Sequence, residues 1–219
     1  MNKKIIGLAG WIGAGKDTVA DYLATHHHFR RESWAGSLKD AVATIFGWDR
    51  EMLEGLTSEH RAQREIVDDW WATRLKIPNL TPRWVLQKWG TEVARTAFHN
   101  DIWIASLENK LRNTQQNIVI SDCRFPNEIK TIQKLGGEVW WVSRGELPEW
   151  YNVAYRQNTT SYDAHWILQD HTQLMEQLYP DVHLSEWAWV GSEFDATIEN
   201  NGTVQDLFQS IDKKLSNQI

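Results

Sequence analysis

Cysteine is almost absent from the sequence, which has one, Cys123, among 219 residues. A single thiol cannot build a disulfide framework within the chain, and such a composition is typical of a protein in the reducing cytoplasm. Long apolar runs are missing too, because no segment approaches the ~20 residues that span a bilayer. The apolar stretch Ile5–Ile12 is interrupted by glycines and does not resemble a signal peptide. We therefore expect a cytoplasmic protein with no membrane partner.

An excess of positive charge is also absent. The chain has 23 Lys and Arg against 29 Asp and Glu, for a formal net charge of −6 at pH 7. Proteins that bind a nucleic-acid backbone usually show the opposite balance, so we expect no nucleic-acid partner. A bound nucleotide needs only a local basic cleft, which this composition permits.

Tryptophan, by contrast, is abundant: there are 14 Trp and only 3 Met. Some are adjacent, as in Trp70–Trp71 and Trp140–Trp141. The main interpretation is packing in the protein core, where large aromatic side chains are mostly buried. The alternative is that one or two of them stack on a nucleobase.

Strand and helix patterns alternate along the chain and predict an α/β fold, with a parallel sheet covered by helices on both faces. The predicted strands are residues 3–9, 29–34, 117–121, 138–143 and 197–199. The predicted helices are residues 16–26, 38–46, 82–98, 102–111, 126–135 and 204–215. We expect a single domain over 1–219, with an insertion on the substrate side at about 48–100 and a lid region at about 145–192.

The most specific motif is the stretch Gly-Trp-Ile-Gly-Ala-Gly-Lys-Asp-Thr at residues 10–18. It lies between a predicted strand and a predicted helix, which is the context of a phosphate-binding loop, or P-loop. The glycines let backbone N–H groups turn toward phosphate oxygens, and Lys16 supplies a full positive charge for the β- and γ-phosphates. The alternative is a glycine-rich turn that binds no ligand. The residues expected to bind a nucleoside triphosphate here are Gly13, Ala14, Gly15, Lys16, Asp17 and Thr18.

One position departs from the usual P-loop. The residue after the lysine is Asp17, where a Ser or Thr hydroxyl normally holds Mg²⁺, and Thr18 comes next. A carboxylate at this position could hold the water shell of the metal, while Thr18 contacts the α-phosphate. We therefore expect Mg²⁺ as a cofactor, bound by Asp17 through water.

A second carboxylate follows an apolar strand. Asp122 directly follows the predicted strand 117–121, and Arg124 comes two residues later. Asp122 could hold Mg²⁺ through water or accept a proton, and Arg124 could neutralise phosphate charge. Alternatively, Asp122 caps the helix that opens at Pro126. We treat Lys16, Asp122 and Arg124 as the candidate catalytic residues.

Seven blocks of sequence together resemble the deoxynucleoside monophosphate kinases of tailed bacteriophages. Their order and spacing match over nearly the whole chain. The blocks are residues 15–18, 37–40, 86–92, 121–128, 142–144, 183–186 and 198–203. The resemblance implies a P-loop kinase fold with a helical lid and insertion, ATP as the phosphoryl donor, Mg²⁺ as the cofactor and a deoxynucleoside monophosphate (dNMP) as the acceptor. For a phage protein, the compartment would be the host cytoplasm.

The resemblance also implies roles for individual residues. Lys39 would lie on the acceptor phosphate, and Trp103 would pack on or near the acceptor base. The implied acceptor-binding residues are Leu38, Lys39, Arg83, Gln87, Gly90, Thr91, Trp103, Asp122, Arg124 and Glu128. The loop of Asn200 and Gly202 would lie near the donor adenine. Further candidates for phosphate contacts are Arg95, Arg144 and, as the lid arginine, Arg156.

Three other functions compete with this one. A dephospho-coenzyme A kinase has a similar P-loop, but its loop ends Gly-Lys-Ser/Thr, whereas Asp17 intervenes here. A P-loop ATPase would need an arginine finger from another subunit or a basic DNA track, and the acidic balance argues against the latter. A nucleotide-binding module without catalysis would phosphorylate no acceptor. The sequence leaves open the accepted bases and the choice between a monomer and a homodimer.

Overall fold

The computed structural model describes residues 3–112, 114–160 and 174–216. Its chain divides into two compact units. The sheet unit consists of residues 1–32 and 115–219, and the helical unit of residues 33–114. The helical unit contains the predicted insertion at 48–100, whose acceptor-side role stays a prediction. Of the predicted lid at 145–192, residues 161–173 lie outside the described residues.

The described strands and helices follow the predicted order closely. The strands are β1 Ile5–Ala9, β2 Arg30–Glu32, β3 Ile118–Ile120, β4 Glu138–Ser143 and β5 Ala196–Glu199. The helices up to β3 are α1 Lys16–His27, α2 Gly36–Phe46, α3 Arg50–Glu54, α4 Ser58–Gln63, α5 Asp69–Leu75, α6 Pro82–Lys88 and α7 Ile102–Leu111. Those after β3 are α8 Pro126–Lys134, α9 Tyr151–Thr159, α10 Leu174–Leu178, α11 Leu184–Trp187 and α12 Val204–Ser216. A π-helical segment, Trp89–Thr96, continues α6.

The five strands form one parallel sheet in the order β2-β3-β1-β4-β5. Every residue of β1 and β3 is buried, as expected for central strands of a parallel sheet with both faces covered. In the register, Gly7 of β1 lies opposite Ile120 of β3 and Val139 of β4. A Cβ at Gly7 would lie 2.5 Å from the side chain of Ile132 on α8. Because glycine has no Cβ, α8 can pack closely against β1 at this position. The predicted α/β fold is confirmed.

Helices of the sheet unit pack against the strands through their apolar residues. α1 contacts β1, β2 and β3, α8 contacts β1 and β4, and α12 contacts both α1 and β5. On α12 the residues facing this contact, Leu207 and Ile211, are buried while most of their neighbours are not. Among the described residues, we find no helix long and apolar enough to cross a membrane.

The helical unit has a core of its own. Its buried residues are Leu38, Val42, Phe46, Leu53, Ala72, Leu80 and Val85. Five tryptophans pack against this core: Trp48, Trp71, Trp84, Trp89 and Trp103. In the sheet unit, Trp140 and Trp189 are fully buried. Core packing therefore accounts for these tryptophans.

Candidate active site

The P-loop connects β1 to α1, as the sequence predicts. Gly13 and Gly15 have φ angles of 81° and 103°, in the left-handed region that favours glycine. A Cβ at Gly15 would also lie 2.4 Å from the side-chain nitrogen of Asn200. Asn200 donates a hydrogen bond of 2.9 Å from that nitrogen to the Ala14 carbonyl. The loop after β5 therefore holds the P-loop in place, and its contact with adenine stays a prediction.

Lys16, the first residue of α1, turns back onto the loop. Its ammonium donates to the carbonyl oxygens of Gly10 at 2.7 Å and Trp11 at 3.0 Å. Burial lowers the pKa of Lys16 to about 8, and the positive charge of Arg124 acts in the same direction. Three carboxylates oppose that pKa change: Glu186, Asp17 and Asp122. Lys16 and the candidate residues Asp17, Asp122 and Arg124 thus share one electrostatic environment.

Asp17 forms an ion pair that the sequence did not predict. Its carboxylate accepts a hydrogen bond of 2.7 Å from Nη2 of Arg31, on β2, and its side chain is 58% exposed. Arg31 also contacts the carboxylate of Asp21 and donates to the Ser121 hydroxyl at 3.3 Å. The sequence held one signal for this residue, a basic side chain on a predicted strand, and the structure places that strand beside β3. Thr18 is exposed one residue further along α1.

Arg124 follows β3 and is bound by α11. Its Nη1 donates to a carboxylate oxygen of Glu186 at 2.7 Å and to the Ser185 carbonyl at 3.4 Å. Burial opposes the charged form of Arg124, but Glu186, Asp122 and Glu128 outweigh that effect and raise its pKa. The sequence marked the block at 183–186 without giving any of its residues a role.

Glu128 has a structural role at the start of α8. It is 2% exposed, and its carboxylate accepts hydrogen bonds from the backbone N–H groups of Arg124 and Phe125, at 2.7 and 3.0 Å. These bonds satisfy backbone donors near the start of the helix, and they fix the backbone that carries Arg124. The predicted contact of Glu128 with the acceptor stays a prediction.

Gly202 lies in the turn that leads into α12. The carboxylate of Asp206 accepts from the backbone N–H and the hydroxyl of Thr203, at 2.8 and 2.7 Å. A Cβ at Gly202 would lie 2.6 Å from the same carboxylate, so the turn favours glycine for reasons of space. Asn201, beside it, accepts a hydrogen bond of 2.7 Å from the Gly145 N–H.

In the helical unit, Lys39 forms an ion pair with Glu54 at 2.6 Å, and Arg50 contacts the same carboxylate at 2.7 Å. Burial disfavours the ionised form of Glu54, yet these two cations outweigh it and lower the pKa of Glu54 to about 2. The group is therefore ionised at neutral pH, and it fixes the Lys39 ammonium near the start of α2. Arg83, on α6, forms a looser ion pair with Glu65 at 3.4 Å.

The π-helical segment holds several of the predicted acceptor residues. The bonds from Ala97 to Glu92 and from His99 to Ala94 join residues five apart, a pattern often found at functional sites. The Trp103 indole donates to the carbonyl of Gly90 at 2.9 Å. The structure thus brings Trp103 and Gly90 together. The predicted helix 82–98 is α-helical over Pro82–Lys88 and π-helical over Trp89–Thr96, a distinction that apolar spacing in the sequence does not reveal.

Leu38, Thr91 and Gln87 also lie in this part of the unit. A Cβ at Gly90 would lie 2.9 Å from Leu38, so these two residues are in close contact. Thr91 is buried and Gln87 is partly buried. Arg95, a candidate for a phosphate contact, is 6% exposed, and it donates to the Asn100 carbonyl at 3.0 Å. Its surroundings favour a structural role.

Two exposed arginines were also candidates, Arg144 after β4 and Arg156 on α9. The phosphate contacts of both arginines stay predictions. Within the described ranges, no cluster of three or more His, Cys, Asp or Glu side chains is arranged to hold a metal ion.

Sequence similarity to two named proteins identifies the family. A candidate deoxynucleotide monophosphate kinase of Acanthamoeba polyphaga mimivirus is 34% identical over an alignment of 154 residues, and the match covers 64% of this chain and 74% of that protein. The chain belongs to the deoxynucleotide monophosphate kinase family. A deoxynucleoside-5'-monophosphate kinase of Escherichia phage T5 is 42% identical over 56 residues, 25% of this chain and 22% of that kinase. The resemblance stated from the sequence blocks is confirmed.

Solved structures match the kinase more distantly. TT1252 from Thermus thermophilus is 16% identical with a TM-score of 0.45, over 100% of both chains. A dephospho-CoA kinase from Campylobacter jejuni is 16% identical with a TM-score of 0.39, over 98% of this chain and 97% of that one. No protein-family model matches the sequence. The P-loop kinase fold therefore rests on the family, the strand order and the loop itself, and not on these two structures.

Proposed function

We propose that the protein transfers the γ-phosphoryl group of ATP to a dNMP and releases a deoxynucleoside diphosphate and ADP. The observation that carries the proposal is the joint placement of Lys16 and Arg124 at a P-loop, in a chain of this family. The positive charge of Arg124 lowers the pKa of Lys16. Two cations beside a phosphate-binding loop suit a reaction in which negative charge must be neutralised as the phosphoryl group moves.

On the donor side, we assign the triphosphate to the loop at 13–18. Its N–H groups and the start of α1 favour phosphate oxygens. The Lys16 ammonium, now on two loop carbonyls, can turn to the β- and γ-phosphates because its chain is flexible. We assign the adenine to the loop of Asn200 and Gly202, which the bond from Asn200 to Ala14 fixes against the P-loop.

On the acceptor side, we assign residues of each unit separately. In the helical unit, Lys39 and Arg83 are the cations for the monophosphate, and Trp103 offers an aromatic surface for the base. The ion pair with Glu54 keeps Lys39 ordered. In the sheet unit, Arg124 is the cation and Asp122 the neighbouring carboxylate. The attacking group is a phosphate oxygen that is already ionised at neutral pH, so the reaction needs positioning more than a strong base.

The oxygen donors beside Lys16 suit Mg²⁺. This cation usually keeps several waters and takes one or two protein carboxylates together with substrate phosphates. Asp17 and Asp122 both raise the pKa of Lys16 through their negative charge, and we assign these two carboxylates that role. When bound, the metal would neutralise charge on the β- and γ-phosphates.

An assay of ADP release tests the proposed function. ATP and Mg²⁺ would be supplied with each natural dNMP, each ribonucleoside monophosphate, or dephospho-coenzyme A, and ADP would be measured by a coupled reaction. We expect ADP release to depend on at least one dNMP. ADP release that needs no acceptor would indicate an ATPase, and release only with dephospho-coenzyme A would indicate that kinase instead. Either result would contradict the proposal.

We expect Asp17→Asn to raise the Mg²⁺ concentration needed for half-maximal rate several-fold, because the amide has lost the charge that attracts the metal's water shell. The measurement is a titration with Mg²⁺ at saturating ATP and dNMP. Asp21→Asn is the matched control, since Asp21 shares the partner Arg31. A Mg²⁺ titration unchanged in Asp17→Asn would show that Asp17 serves the start of α1 and Arg31 instead.

A further inference from the structure

The block His183-Leu184-Ser185-Glu186 forms the start of α11 and lies against the candidate site. The side chain of Glu186 is only 13% exposed, although it is a carboxylate, and it contacts Arg124 at 2.7 Å. Carboxylates so little exposed usually have a paired charge. None of the proposed donor, acceptor or metal contacts involves the Glu186 carboxylate, although it lies directly against Arg124.

α11 is anchored on both sides of Glu186. Ahead of it, the His183 side chain accepts a hydrogen bond of 3.2 Å from the Ser185 N–H and caps the helix. Behind it, the indole of Trp189 donates to the Glu186 carbonyl at 2.8 Å. Trp189 is fully buried and packs in an aromatic cluster with Trp141. The backbone of Glu186 is therefore held by buried structure and not by its ion pair.

The two contacts from α11 use the same nitrogen of Arg124. Both the Glu186 carboxylate and the Ser185 carbonyl accept from Nη1. Within the described part of the chain, neither Nε nor Nη2 of Arg124 donates a hydrogen bond. One end of the guanidinium is thus anchored, and its other edge keeps the two parallel N–H groups with which arginine grips two phosphate oxygens.

We propose that Glu186 is a positioning residue for phosphoryl transfer, which fixes one end of the Arg124 guanidinium so that its other edge stays aligned for phosphate oxygens. This inference rests on the proposed function. A carboxylate whose own backbone is held by buried structure can hold a guanidinium in one orientation through a charge-assisted hydrogen bond. Glu186 therefore acts on the reaction through the geometry of Arg124.

Three variants test the positioning role. Glu186→Gln keeps the shape and loses the charge, Glu186→Asp keeps the charge on a shorter side chain, and Glu193→Gln makes the first change on an exposed residue. We expect Glu186→Gln to lower kcat about tenfold or more with little change in the dissociation constant of ATP, because a displaced catalytic group commonly costs that much. Glu186→Asp should recover part of that loss, and Glu193→Gln should leave kcat unchanged.

A second readout needs no turnover. ¹⁵N NMR relaxation of the Arg124 Nε–H group reports how firmly its guanidinium is held, with Arg124→Lys used to assign the signal. A more mobile group in Glu186→Gln than in Glu193→Gln supports the inference, and equal mobility overturns it, whether or not the wild-type protein phosphorylates a dNMP. Failure of wild-type turnover would count against the proposed function alone. Wild-type kcat in both Glu186 variants would overturn the positioning role and leave the proposed function standing.

Discussion

Lys16→Ala is expected to lower kcat by a hundredfold or more while the protein stays folded. The ammonium meets the charge that develops between the β- and γ-phosphates, and loss of such an electrostatic contact commonly costs ~3 kcal/mol or more in the transition state. Its replacement leaves a small gap beside the Gly10 and Trp11 carbonyls, which water can fill. The measurement is kcat at saturating ATP and dNMP, together with a thermal unfolding curve.

The unfolding curve should show no loss of stability. The pKa of Lys16 is lowered from 10.5 to about 8 in the folded protein, so the unfolded chain holds the proton more tightly. The charged lysine therefore destabilises the folded state below pH 8, and stability is recovered as the pH rises from about 8 toward 10.5. Removal of this side chain should leave the melting temperature at neutral pH equal or higher.

Lys213→Ala is the control for the Lys16 experiment, because that lysine is exposed on α12. It should leave both kcat and the melting temperature unchanged. Near-normal turnover in Lys16→Ala would contradict the P-loop assignment. A collapse of the unfolding transition in that variant would contradict the stability argument, and kcat would then need to be measured on Lys16→Arg.

The parts of the fold that follow from local sequence were predictable. β1 and β3 are short apolar runs bounded by turn residues, and Glu138–Ser143 was predicted at the bounds that the structure gives. The P-loop was predictable for the same reason, because its glycines and lysine are consecutive. Pro126 marked the start of α8, as its fixed φ and missing N–H suit a first helical position.

The ion pairs of the candidate site were not predictable in this way. Arg124 and Glu186 are 62 residues apart, and Arg31 and Asp17 come from a strand and a helix whose packing decides their distance. Glu128 illustrates the same point. The sequence marks it as a carboxylate in a block shared with kinases, but does not reveal that it accepts hydrogen bonds from the backbone N–H groups of Arg124 and Phe125. Its predicted contact with the acceptor stays a prediction. Sequence identifies charged residues, whereas tertiary packing decides what each of them faces.

Arg124→Ala and Arg83→Ala are expected to impair use of the acceptor and to spare ATP binding. Arg83→Ala should raise the KM for the dNMP, and Arg124→Ala should lower kcat, with or without a rise in that KM. A hydrogen bond to a charged group contributes ~1.5–3 kcal/mol, so each loss should be roughly ten- to a hundredfold in kcat/KM for the dNMP. The dissociation constant of ATP should change little, since the loop around Lys16 holds the donor phosphates.

Two titrations on each variant decide the matter, one with dNMP varied at saturating ATP and one with ATP varied at saturating dNMP. Arg→Lys at both positions should also be costly, because an ammonium cannot grip two oxygens with a planar fork. The control is Arg74→Ala, an exposed arginine on α5 that none of the proposed contacts uses. If ATP binding weakens as much as dNMP binding, these arginines serve the donor or the fold. The acceptor assignment would then be wrong, although membership of the kinase family would stand.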